Sequence, residues 1–71
     1  MAEATFKMTE LVGESSEGIE AAVLTALATS ASKVRGHSWA HITDLRANLD
    51  GEGGVDRWQV TVNVAFEVDA G

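Results

Sequence analysis

Trp58-Gln59-Val60-Thr61-Val62-Asn63-Val64-Ala65-Phe66-Glu67-Val68 alternates over its whole length. Trp58, Val60, Val62, Val64, Phe66 and Val68 point one way, and Gln59, Thr61, Asn63, Ala65 and Glu67 point the other. A period of two is the mark of a strand with one buried face. The valine set is therefore the expected core face, and Trp58 is expected to pack with it. Asp50-Gly51-Glu52-Gly53-Gly54, separated from it by three residues, offers two or three residues free to take positive φ. That is turn chemistry, so the strand from Trp58 to Asp69 pairs back on whatever precedes the turn.

Ser38 to Asp50 reads as that partner, with a change of parity inside it. Ala40 and Ile42 are apolar at even positions, whereas Leu45, Ala47 and Leu49 are apolar at odd ones. Such a slip predicts a bulge near Thr43 and Asp44, or a strand buried on both sides. Upstream, Glu17 to Val34 changes to helical period: Ile19, Ala22, Val23, Ala26, Leu27, Ser30 and Val34 form one stripe. Ser15 or Ser16 can cap its start, and Glu14, Glu17 and Glu20 suit its positive dipole end. Lys33, Arg35 and Gly36 suit its finish. Thr5 to Val12 is the remaining strand, with Gly13 expected to break it.

The order is β-α-β-β. A returning helix makes the first two strands run the same way, and the hairpin makes the third run opposite to both. The simplest antiparallel sheet then has the third strand in the middle. The fold class expected is α+β, one helix on a three-stranded antiparallel sheet, in a single domain covering 1–71. One helix covers one sheet face, leaving the other for neighbouring subunits or a cavity.

Composition narrows the function. A 71-residue chain without cysteine has no disulfide framework and no thiolate metal site, so a partner chain is the leading source of missing stability. The net charge of −6, with five scattered bases, gives no basic face for nucleic acid or an anionic membrane. No apolar run is long enough to span a bilayer, and the N-terminus lacks signal-peptide character. A soluble cytoplasmic protein is expected. Only His37 and His41 are imidazoles; His37 is expected in a loop after the helix, and no metal site is expected.

Trp39, Asp44, Arg46 and Gln59 fall in the same predicted hairpin. An indole face suits a flat ring, an amide reads ring edges, and a guanidinium suits a phosphate. Each also has an ordinary reading: Trp39 as core, Gln59 as a plain strand residue, Asp44 as an acceptor at a bulge, Arg46 in an ion pair. His41 shares the side of Trp39 by alternation. Ser38, His41 and Asp44 are a conceivable hydrolytic set, but no nucleophile motif accompanies them.

The chain resembles the dodecins, small flavin-binding proteins, over nearly its whole length. The resemblance rests on Phe6 to Gly18 (FKMTELVGESSEG), Ala21-Ala22, Trp39-Ala40 and Trp58 to Phe66 (WQVTVNVAF). It implies a β-α-β-β protomer, twelve copies in a hollow homododecamer, and flavins held in pairs between symmetry-related tryptophans. It implies flavin storage and protection against flavin photochemistry rather than catalysis. By the resemblance, Trp39 is the stacking residue and Gln59 the reader of the ring edge. Asp44 lies near the ligand and Arg46 meets the phosphate, which favours FMN over riboflavin; FMN is the flavin expected, with riboflavin and FAD as the other candidates. Coenzyme A is a possible second ligand. His41 stands where the family often has an acid. The alternatives to a flavin store are an oligomeric shell whose main ligand is coenzyme A or a similar nucleotide, and a small hydrolase.

Overall fold

Four elements follow in the order β1 (Thr5–Ser15), α1 (Ile19–Ala31), β2 (His37–Leu49) and β3 (Val55–Val68). The structure is a computed structural model and describes residues 3–31 and 37–68. The strands form one sheet in the order β1-β3-β2, with β3 antiparallel to both neighbours. The expected fold class is therefore the observed one. The expected helix end at Val34 to Gly36 lies outside the described residues.

Around Gly13 and at the helix start the structure departs from the sequence reading. β1 does not stop at Gly13 but runs on to Ser15, keeping register with β3 as far as Trp58. Gly13 is buried there, with the helix lying directly on it. A Cβ at this position would collide with the Ala22 carbonyl oxygen and stand 2.9 Å from the Ala26 Cβ. The glycine is a contact surface, not a breaker. The second departure is the helix start. Ser15 Oγ accepts the Glu17 amide at 3.0 Å, closing a local turn outside the helix. The Gly18 carbonyl accepts the first helical bond, from the Ala22 amide at 3.1 Å. Gly18 therefore stands at the N-cap, where neither serine does, and Glu20 is the acid of the first turn.

The helix packs on β1 and β3. Ala22 and Ala26 meet Val60, Val62 and Val64 in the core, with Leu11, Val23, Leu27 and Trp58 around them. The alanine stripe lets the helix axis come close to the sheet. Thirteen helical residues reach about 20 Å, whereas the fourteen residues of β3 reach about 45 Å. So the helix cannot cover the sheet. Ile42, Leu45 and Leu49 of β2, on the helix side, stay exposed.

The β2–β3 turn is held by one side chain. Asp50 Oδ1 accepts the amides of Glu52 at 2.7 Å and Gly54 at 3.0 Å, and the Asp50 amide donates to the Gly54 carbonyl. Gly51 and Gly53 take φ of 84° and 91°, as the turn chemistry required. These amide bonds favour the carboxylate and lower the Asp50 pKa below its ordinary 3.8.

Candidate functional site

Residues directly opposed in an antiparallel pair share a face, so the register sorts the side chains. Trp39 pairs with Ala65 and His41 with Asn63; then the register slips between Ile42 and Asp44. After the slip Asp44 pairs with Thr61 and Arg46 with Gln59. Thr43 is the extra residue, and its hydroxyl donates to the Thr61 carbonyl at 3.3 Å. The bulge thus stands where the parity change predicted it. Without it, Asp44 and Arg46 would lie under the helix side; with it, they join Trp39, His41 and Gln59 on the open face.

At one end of this face Trp39 is half exposed (49%). Its ring meets that of Phe6 with centroids 4.9 Å apart and planes tilted by 53°, a favourable aromatic geometry. Phe6 comes from β1 and Trp39 from β2, so the two rings meet across β3. Ala65 lies between their strands, fully buried, and its small side chain leaves room for them. Trp58, by contrast, is half-buried against the core on the other face, as expected.

At the other end Gln59 stands in one row with Glu14 and Arg46. Its Nε2 donates to Glu14 Oε2 at 2.7 Å. Arg46 Nη2 donates to Asp44 Oδ2 at 3.1 Å, in a pair that is more than half exposed. The ion-pair reading of Arg46 therefore holds in the isolated chain. Asp44 directs its carboxylate at Arg46. His37, expected in a loop, is the first residue of β2.

The two ends do not meet. Ala65, opposite Trp39, is six positions along β3 from Gln59, which amounts to about 20 Å. A hollow of about 200 Å³ beside Trp39 is lined by Leu27, Ser38, Ala40 and Val64, without Gln59. A larger groove of about 350 Å³ runs between β1 and the helix, with Gly13 and Glu14 on one wall and Thr25 and Thr29 on the other. One chain therefore carries an aromatic end and a polar end.

Two residues were missed by sequence reasoning. Glu14 was assigned to the helix start, yet it lies in β1 and holds Gln59. Phe6 was read only as a strand residue. The alternation Phe6, Met8, Glu10, Val12, Glu14, carried through Gly13, would have put both on the open face.

A sequence profile of the dodecin family matches residues 5–69. The chain belongs to the dodecin family. It is 39% identical over 64 residues to the dodecin of Thermus thermophilus, covering 90% of this chain and 91% of that one. The fold agrees as closely. The dodecin of Streptomyces coelicolor superposes with a TM-score of 0.87 at 30% identity, over 100% of both chains. That of Streptomyces davaonensis gives 0.85 at 28% identity, over 96% of this chain and 98% of that one. The family is known for flavin binding, and its members are generally binding or storage proteins rather than enzymes. Among the described residues, no helix is long and apolar enough to cross a membrane.

Proposed function

We propose that this chain stores flavin, FMN in preference to riboflavin or FAD, in a cytoplasmic homododecamer, and quenches the photochemistry of what it holds. Trp39 stacks on the isoalloxazine, Gln59 reads its polar edge, and Arg46, beside Asp44, meets the phosphate. The observation that carries this is the half-exposed Trp39 ring, braced by Phe6 on a sheet face that no helix covers. Beyond its contact with Phe6 about half of the indole stays in solvent, and a flat aromatic ligand would desolvate that part.

Assembly is part of the same reading. Trp39 and Gln59 are too far apart in one chain to touch a single ring system, so a second copy supplies the missing end. The exposed Ile42, Leu45 and Leu49 give the chain apolar surface to bury against such copies. The exposed Asp44–Arg46 pair contributes at most about 1 kcal/mol, so a doubly charged phosphate can take the guanidinium from Asp44 at small cost.

Titrating FMN with the protein tests the reading, because an indole in contact with excited isoalloxazine quenches it. Emission should fall strongly for the wild type and stay near the free-flavin level with Trp39→Ala in an assembled protein, whereas Trp58→Ala should mainly weaken folding or assembly. Arg46→Ala should weaken FMN roughly tenfold and riboflavin hardly at all. Unquenched FMN at excess wild-type protein would remove the assignment.

A further inference from the structure

The Glu14–Gln59 bond has a consequence for what the amide can recognise. An ionised carboxylate only accepts hydrogen bonds, so the Gln59 group facing Glu14 must be its NH₂. The bond is short, 2.7 Å, charge-assisted, and joins directly opposed residues of β1 and β3. One N–H is thereby engaged, and this bond favours one orientation of the amide over its flipped form. What remains for a ligand is the carbonyl oxygen with the second N–H.

We infer that Glu14 is a positioning residue, which fixes the orientation of the Gln59 amide so that the site selects a ring edge carrying an N–H donor. The inference rests on the flavin reading of Gln59. The pyrimidine end of an isoalloxazine has such an edge, an imide N–H between two carbonyls, and the outward carbonyl oxygen of Gln59 complements that N–H. A ring methylated at this nitrogen offers no donor and leaves the amide oxygen unpaired on binding. Sites that hydrogen-bond a donor reject analogues lacking it. An amide able to flip would discriminate less. It would present its NH₂ to a carbonyl whenever the N–H was missing.

The test compares quenching of FMN and of N3-methyl FMN by wild-type protein, Glu14→Gln, Gln59→Ala and the double variant. Glu14→Gln keeps the shape but lets the pair donate in either direction. It should weaken FMN about fivefold, the scale of one net hydrogen bond. It should also shrink the preference for FMN over its N3-methyl analogue by a similar factor. The double variant should bind FMN no worse than Gln59→Ala alone, since Glu14 acts only through Gln59. If Glu14→Gln does not assemble, Glu14→Ala is read by the same two ratios. An unchanged preference in a variant that still quenches FMN, or additive losses in the double variant, overturns the inference and leaves flavin binding intact. Failure of the wild type to quench FMN overturns both readings.

Discussion

On the helix side of β3, Val60, Val62 and Val64 are sealed under Ala22 and Ala26. On its opposite side Gln59, Thr61 and Asn63 are only half-buried, and around them stand Trp39, His41, Asp44 and Arg46, all exposed. The same strand therefore packs with one set of side chains and leaves the other set on an open face, where the proposed site lies. The exception on the open side is Ala65, buried between the strands that bring Phe6 and Trp39 together. Among the described residues the core lies where the 13-residue helix covers part of the sheet. Changes on the covered face should thus cost folding, and changes on the open face should cost binding.

The sharpest way to break that division is at Gly13, where strand and helix touch. Gly13→Val should destabilise the protein by about 3 kcal/mol or prevent folding, because the new side chain meets backbone that cannot move aside. Urea unfolding would measure it, and a variant as stable as wild type would mean that the helix does not rest on this residue. Val62→Ala should cost about 2 kcal/mol, since a fully buried side chain is shortened and a void is left. Thr61→Ala, its neighbour on the open face, should cost well under that in the same experiment. Equal losses would dissolve the contrast between the faces. The smallest effect is expected at the hairpin tip. Because folding lowers the Asp50 pKa, the stabilisation is present above the ordinary 3.8 and is lost as pH falls through the folded value. Asp50→Asn should therefore cost a little stability at neutral pH and flatten the acid side of the profile, the two proteins converging as the pH falls.

Much of the site was legible because strand alternation is a one-dimensional signal. The apolar parity of β2 pointed to a bulge or to a strand buried on both sides, and the register then showed the bulge and with it the shared face of Trp39, Asp44, Arg46 and Gln59. What misled was Gly13. A glycine after an apolar run has two meanings, a turn or a close approach, and the choice depends on what lies across from it. Reading it as a stop put Glu14 at the helix start and hid its bond to Gln59. The serine cap failed for a related reason: Ser15 and Ser16 both have capping chemistry, but the strand runs on through Ser15, so the helix starts only after Gly18.

By itself the sequence determined the element order, the valine core, the turn at Asp50 and the family, since each is written in local periodicity or in residue identity at fixed spacing. Only the tertiary structure decided which residues touch. It carried β1 through Gly13 in register with β3, at a point where the helix leaves no room for a Cβ. It set Phe6 against Trp39 across a buried alanine, and it joined Glu14 to Gln59 over 45 positions of sequence. It also held the aromatic and polar ends apart, because distance along a strand is fixed by backbone rise and no side chain can shorten it.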